Sequence, residues 1–234
     1  MDRINTFKKK VALKAVESVE SGMVVGLGSG STALFALEAI GSRIQNGDLT
    51  SIIGIPSSSK TAKDARRFGI PLGTLNDFPV IDLTIDGADE VDPNLNLIKG
   101  GGGALLREKI LAQNSRRLII IVDETKLSPA LGTKSRIPVE VIQFGHRPVL
   151  KFLESLGSSA ILRTADNGLP FVTDEGNYII DCKFDPISDP FGLAQKMKNQ
   201  AGIVEHGLFL GMATDVIVGG ATGVYHHKPK NPIN

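Results

Sequence analysis

One cysteine, Cys182, stands in the whole chain of 234 residues. A lone thiol forms no intrachain disulfide and completes no cysteine-based zinc site. It lies in the strand-like run YIIDCKF, so a buried structural thiol is expected rather than a nucleophile. An excess of one charge is missing too. The 26 Lys and Arg against 25 Asp and Glu leave no basic surplus of the kind a dedicated nucleic-acid binder carries, although a local basic pocket for a small anion fits that balance. No stretch reaches the roughly 20 apolar residues a membrane helix needs. The N-terminal MDRINTFKKKVALKAVESVE has neither an apolar h-region nor a small-residue cleavage site, so it does not read as a secretory signal. His146, His206, His226 and His227 show no metal-ligand spacing, and no nucleophile-elbow motif has a credible acid and histidine downstream. Repeats, low-complexity segments and flexible linkers are absent. The remainder is ordinary globular composition, 41% hydrophobic and 22% charged, on a chain long enough for one large core or a domain with a small second one. A reducing, cytoplasmic setting is the expectation.

The first half alternates helix and strand. Phe7, Val11, Ala15 and Val19 recur at helical spacing over 5–20. MVVGLG (23–28), SIIGIP (51–56), IDLTID (81–86), LNLIKG (95–100) and RLIIIVD (117–123) read as five buried strands, with helices near 32–46, 58–68 and 103–114 between them. Near-continuous Val/Ile/Leu runs belong to strands buried on both faces of a parallel sheet, and their alternation with helices predicts a doubly wound, Rossmann-like α/β unit. After about residue 131 the pattern changes. IPVEVIQF (137–144), a helix at 146–157, SAILRT (159–164), FVTD (171–174), YIIDCKF (178–184), a helix near 189–200 and a strand at 203–205 follow the order of a ferredoxin-like α+β unit, strand-helix-strand-strand-helix-strand. The expected organisation is a Rossmann-like domain over 1–131 and 206–234, with a ferredoxin-like α+β domain inserted over 132–205. The tail GLFLGMATDVIVGGATGV holds one more strand able to return to the first sheet.

Three segments with chemical potential each fall at the carboxyl end of a predicted strand, where open α/β sheets bind ligands. In GLGSGSTA (26–33), glycines between strand and helix let backbone N–H groups converge on an anion beside the helix's positive end. Ser29, Ser31 and Thr32 add hydroxyls around Gly30. Taken alone, the segment is equally a tight turn with an N-cap. It also fits the G-x-G-x-x-A dinucleotide fingerprint, but the acid expected at the end of the second strand is replaced by Pro56-Ser57-Ser58-Ser59-Lys60. In DGADEVD (86–92), a buried strand delivers Asp86 and Asp89 to the ligand edge, with Gly87 and Ala88 between them. Gly87 is expected to permit an unusual backbone path. Paired carboxylates can bind sugar hydroxyls or relay protons. They could also take Mg²⁺, a reading ranked second because no partner ligands are visible. A solvated acidic turn is the plain alternative. In KGGGGALLREK (99–109), Lys99 leads into a run of glycines, among them Gly100, Gly101 and Gly102, whose N–H groups can face an anion or a developing oxyanion. Glu108 and Lys109 follow about one and a half turns into a helix. An exposed Glu-Lys pair is the plain reading, and a functional carboxylate is the alternative that the glycine run supports. Lys126, in VDETKL, reaches the same edge, and an ordinary surface lysine is its other reading. The run Lys8-Lys9-Lys10 reads as a solvated helix face near that edge, His146 as a helix start, and His226-His227 as a solvated tail.

In order and spacing, GSGSTA (28–33), DGADEVD (86–92), KGGGGALLREK (99–109), VDETKL (122–127) and HGLFLGMATDVIVGG (206–220) resemble the ribose-5-phosphate isomerase A family, over essentially the whole chain. The resemblance implies an aldose–ketose isomerase needing no metal or organic cofactor and forming homodimers, sometimes tetramers. It implies substrate-binding loops at Ser29–Thr32, Asp86–Asp89 and Lys99–Gly102. It makes Glu108 the proton acceptor and Lys126 a further substrate contact. The chain departs from the family pattern at Ser29, where threonine is common, and in having four glycines where three are usual. The alternatives kept open are other enzymes on the same scaffold, such as deaminases, lactonases and coenzyme A transferases, a non-catalytic sugar-phosphate sensor, and a nicotinamide dehydrogenase.

Overall fold

The computed structural model describes residues 3–228. In chain order the elements are α1 (Arg3–Val16), β1 (Val24–Leu27), α2 (Ser31–Gln45), β2 (Ile53–Pro56), α3 (Ser59–Arg67), β3 (Leu83–Asp86), β4 (Glu90–Val91), β5 (Leu97–Ile98), α4 (Leu105–Gln113) and β6 (Leu118–Asp123). There follow a 3-10 turn (Glu124–Lys126), β7 (Ile137–Val141), α5 (His146–Ser155), β8 (Ser159–Leu162), β9 (Tyr178–Lys183), α6 (Pro190–Lys198), β10 (Ile203–His206), β11 (Leu208–Phe209), β12 (Asp215–Gly220) and β13 (Gly223–His227).

The main sheet has the order β13-β12-β6-β3-β1-β2. Its strands run parallel except the edge strand β13. Side chains alternate between its two faces, and both faces are covered, which is why the strands read as continuous apolar runs. Val25, Leu27, Leu83, Ile85, Ile119, Ile121 and Ile217 pack with the apolar sides of α1 and α2. Leu118, Ile120, Val122, Val216 and Val218 enter a second core with Val91, Leu97, Ala112 and Phe209. Burying each such Ile, Leu or Val contributes roughly 1.5–3 kcal/mol before conformational entropy is charged against it. The chain proceeds outward from β1 to β2, then crosses back to place β3 on the other side of β1. That reversal is the topological switch point of the sheet.

Residues 137–206 build a four-stranded antiparallel sheet, β10-β7-β9-β8, with α5 and α6. This is the expected ferredoxin-like order, and its core includes Ile137, Val139, Ile180, Met197 and Cys182. Burial pushes the Cys182 thiol up to about 12, in keeping with an inert structural residue.

Several expectations are corrected. LNLIKG is not a strand of the parallel sheet. Asp92 Oδ1 accepts from the N–H groups of Asn94 (2.8 Å) and Asn96 (2.9 Å), and Leu95 adopts a left-handed φ of 63°. This Asx turn doubles the chain back, so β5 joins β4 and β11 in a separate three-stranded antiparallel sheet. FVTD is no strand either. Only the isolated bridges Thr164–Pro170 and Val172–Tyr178 form there, because Pro170 has no N–H to extend a ladder and Asp174 turns outward to accept from Ser59 N at 2.7 Å. The tail strand does return, as β12 beside β6. His226 and His227, expected as a solvated tail, lie in the edge strand β13, where His226 is exposed as expected and His227 is half-buried. α1 ends at Val16, short of the predicted residue 20.

Candidate active site

The carboxyl ends of β1, β3 and β6 meet at the switch point, and a cleft of about 130 Å³ opens there. It is lined by Ser29, Gly30, Ser31, Thr32, Gly87, Ala88, Asp89, Lys99, Gly100, Gly101, Gly102, Glu108 and Lys126, joined by Lys8. Asp86, 1% exposed, adjoins the cleft through its ion pair with the lining residue Lys99. Every sequence-predicted site residue is thus brought to one place. A wider groove of about 500 Å³ between α1 and α2 includes four charged residues in its lining, Lys9, Glu17, Glu38 and Arg43, and none of these four is buried.

Gly28 must be glycine for contact with its neighbour: a Cβ there would stand 2.6 Å from the Asp86 Cα and 2.2 Å from its Oδ1. This closeness lets Ser29 N donate to Asp86 Oδ1 at 3.1 Å, beside Gly87 N at 2.8 Å. Gly30 then takes a left-handed φ of 101° and opens α2, whose first N–H groups are free to face an anion. Ser29 turns its hydroxyl inward to Ser57, Ser58 and Thr61 at 2.8, 3.0 and 2.9 Å, so its hydroxyl holds the loop while those of Ser31 and Thr32 border the cleft. Gly87 keeps a φ that any residue can adopt, contrary to the expectation of an unusual path. Its contribution is its peptide groups, because its carbonyl accepts from Lys99 Nζ at 2.7 Å.

Lys99 Nζ lies 2.9 Å from Asp86 Oδ2 and 3.4 Å from Glu108 Oε2. Asp89 sits across the cleft and accepts from Gly101 N at 2.8 Å. Burial alone would lower the Lys99 pKa. The carboxylates of Asp86 and Glu108 outweigh that effect and raise it, so Lys99 is a permanent cation. Glu108 occupies the first turn of α4, nearer the helix start than expected because the helix begins only at Leu105. It is 6% exposed, and its Oε2 makes no hydrogen bond. Burial, opposed by Lys99 and aided by the negative charges of Asp86 and Asp89, pushes its pKa up to about 8. An unsatisfied, desolvated carboxylate facing a cleft is suited to take and return a proton near neutrality.

Glu108 and Lys109 are not the exposed pair of the plain reading. Lys109 points away from the cleft and donates to Glu205 Oε1 at 2.8 Å and to the His206 carbonyl at 2.5 Å. Burial brings Lys109 down to about 8 and His206 down to about 4, the latter helped by the Lys109 charge. Glu205 falls to about 2 because its lysine partners outweigh burial. This buried cluster anchors α4 to β10 and so fixes where Glu108 stands.

The sequence reading missed Lys8 as a functional residue. It is half-buried and its Nζ donates to Ser31 Oγ at 3.0 Å. The signal was its place in a basic run near the sheet's ligand edge in sequence order, too common a pattern to decide alone. Lys8 and Lys126 give the outer cleft two cations, fit for a dianion such as a phosphate. Among the described residues, no group of three or more His, Cys, Asp or Glu side chains is arranged to hold a metal ion, and the oxygens of Asp86 are already occupied by Lys99 and two N–H groups.

A carboxylate, a lysine and an amide cradle at a sheet's switch point define the class: an α/β enzyme that moves protons on a small, hydroxylated anion. The family model described as "Ribose 5-phosphate isomerase A (phosphoriboisomerase A)" matches residues 53–223. The ribose-5-phosphate isomerase A of Chloroflexus aurantiacus is 55% identical over 94% of this chain and 92% of its own. Among solved structures, a D-ribose-5-phosphate isomerase in complex with phospho-erythronic acid superposes with a TM-score of 0.94 at 39% identity, covering 96% of this chain and 98% of that one. Ribose 5-phosphate isomerase from Plasmodium falciparum gives 0.93 at 41% identity over 97% and 100%. The chain belongs to the ribose 5-phosphate isomerase A family.

Proposed function

We propose that this enzyme interconverts D-ribose 5-phosphate and D-ribulose 5-phosphate through a cis-enediol intermediate, a reaction of the non-oxidative pentose phosphate pathway. The observation that carries the reading is the buried Glu108 carboxylate, one oxygen of which makes no hydrogen bond and only a 3.4 Å ion pair with Lys99, in a cleft that Lys99 and the glycine loop also line. The phosphate meets Lys8, Lys126, Ser31, Thr32 and the start of α2. Asp86 or Asp89 exchanges a proton with the ring oxygen or the anomeric hydroxyl as the sugar opens. Glu108 then removes the C2 proton of the aldose. The C–H electrons form the C1–C2 double bond, and the carbonyl electrons pass to O1, where the Lys99 ammonium and the glycine amides stabilise the charge. A proton passes from O2 to O1, the carbonyl forms at C2, and Glu108 returns its proton to C1. The free Glu108 oxygen favours this reading over a non-catalytic sensor, which would need the phosphate cradle but no base.

The test is conversion of ribose 5-phosphate by the purified protein in D₂O with EDTA, followed by NMR. Ketose carrying deuterium at C1 is expected. Binding of the sugar phosphate without conversion would replace this reading by a sensor, and loss of turnover on EDTA treatment alone would put a metal ion into the mechanism.

We also propose that the chain works as a homodimer in the cytoplasm. Support comes from the family resemblance and from exposed Phe144 (90%), Leu169 (62%) and Phe191 (59%), an apolar burden that self-association would relieve. No described helix is long and apolar enough to cross a membrane. Light scattering should give twice the 24.9 kDa chain mass; a monomer at micromolar concentration would refute the dimer.

A further inference from the structure

The loop Lys99–Gly103 carries the amides assigned to the reacting oxygen, and within it a single backbone hydrogen bond, from Gly103 N to the Gly100 carbonyl at 3.0 Å, closes a turn. Gly101 and Gly102 are exposed, and neither has a side chain to pack. A run of glycines has the widest conformational freedom of any sequence, and the turn bond leaves the Gly101–Gly102 peptide without a backbone partner in the loop, so a flip that turned the Gly102 N–H away from the substrate would meet little resistance from the loop itself. For that peptide, a group outside the loop must select the productive orientation.

Arg163, at the end of β8 in the four-stranded sheet, reaches across to it. One terminal nitrogen donates to the carbonyls of both Gly100 (3.2 Å) and Gly101 (3.1 Å). The rest of the guanidinium is held by Asp181 of β9, through Nε at 2.8 Å and Nη2 at 2.5 Å. Both side chains are mostly buried, 15% and 14% exposed. The Arg163 carbon also lies 5.7 Å from the centre of the Phe171 ring, and that ring closes over Gly103, where a Cβ would come within 2.5 Å of it.

A trans peptide is planar, so the carbonyl of one residue and the N–H of the next point in opposite directions. Drawing the Gly100 carbonyl to Arg163 sends the Gly101 N–H the other way, and it meets Asp89 Oδ2 at 2.8 Å. Drawing the Gly101 carbonyl to Arg163 likewise turns the Gly102 N–H toward the cleft that Gly102 lines. We infer that Arg163 is a positioning residue for catalysis: by fixing two consecutive glycine carbonyls it aims the Gly101 N–H at Asp89 and the Gly102 N–H at the reacting oxygen. Asp181 holds Arg163 in place. The inference rests on the reading of the glycine loop given under Proposed function, and it gives the small sheet a part in the chemistry.

The test compares Arg163→Met, Arg163→Lys and Asp181→Asn with the parent enzyme by steady-state kinetics and thermal unfolding, with Glu108→Gln assayed alongside. Arg163→Met should lower kcat about 10²-fold, the lower end for loss of an oxyanion donor, with KM within about threefold. Arg163→Lys keeps the charge, and a folded protein if the methionine variant fails. It should still lose at least about tenfold in kcat, because one ammonium cannot bridge two carbonyls and both Asp181 oxygens. Asp181→Asn should fall between. Added guanidinium should recover part of the Arg163→Met loss. A lower melting temperature with kcat unchanged, a raised KM with kcat unchanged, or full activity in Arg163→Lys would each overturn the inference. An inert Glu108→Gln beside a fully active Arg163→Met overturns it alone. A fully active Glu108→Gln overturns the reading of the site, and this inference with it.

Discussion

Glu108→Gln lowers kcat by about 10²–10⁴-fold, the usual contribution of a positioned base, and leaves KM within about threefold because the amide keeps the shape of the carboxylate. The parent's kcat/KM should rise with pH through about 8, since the base acts only when ionised and burial holds its pKa there; the variant's residual rate should lack that limb. A second result follows with the opposite benefit. The Glu108 pKa moves from 4.5 unfolded to about 8 folded, so between those values the native state holds a proton that the unfolded chain has released. Stability of the parent therefore falls as pH rises through that window. Glutamine has no proton to lose, so relative to the parent the variant should gain stability from about pH 4.5 upward and gain most above 8. Paired melting temperatures at pH 5, 7 and 9 test this. A difference that stays constant across the three would mean that Glu108 is not ionised against burial, and its role as a buried base would fall with it.

Much of this site was legible because its parts sit where two independent signals coincide. A buried apolar strand such as IDLTID fixes which end of the sheet its last residue reaches, and Asp86 at that end could be assigned to the ligand edge before any contact was known. The glycines of GLGSGSTA and KGGGG announced backbone-made cradles in the same way. The errors came where neighbours in space rather than in sequence decide the outcome. LNLIKG has a strand's composition, and only the Asx turn at Asp92 and the pairing with Leu208–Phe209 take it out of the parallel sheet. Lys109 reads as half of a surface pair until Glu205, almost a hundred residues on, supplies its buried partner. Lys8 is indistinguishable from Lys9 and Lys10 by pattern, and only the packing of α1 on the sheet selects it. Arg163 has no motif around it; its importance rests on carbonyls some sixty residues earlier in the chain.

Lys99→Met should damage stability and turnover together, because Lys99 compensates charge and stabilises the intermediate at once. Its ammonium lies within 2.9 Å of Asp86, 2.7 Å of the Gly87 carbonyl and 3.4 Å of Glu108. Removing one partner of a buried ion pair costs about 3–5 kcal/mol. The lower end is expected here, because Glu108 can neutralise itself by holding its proton, leaving Asp86 as the one carboxylate stranded in the interior. Loss of the oxyanion partner should lower kcat by about 10²–10³-fold. Arginine is no remedy: Nζ also sits 5.4 Å from the centre of the Phe209 ring, and a guanidinium is too wide for a space built around a single ammonium. The sign of the pH effect separates this role from general destabilisation. Lys99 opposes the burial that raises Glu108, so without it the Glu108 pKa must climb above 8, and the rising limb of kcat/KM must move to higher pH in Lys99→Met. A variant merely less stable would lose activity without moving that limb. A limb left in place would show that Lys99 and Glu108 do not share one electrostatic site during turnover.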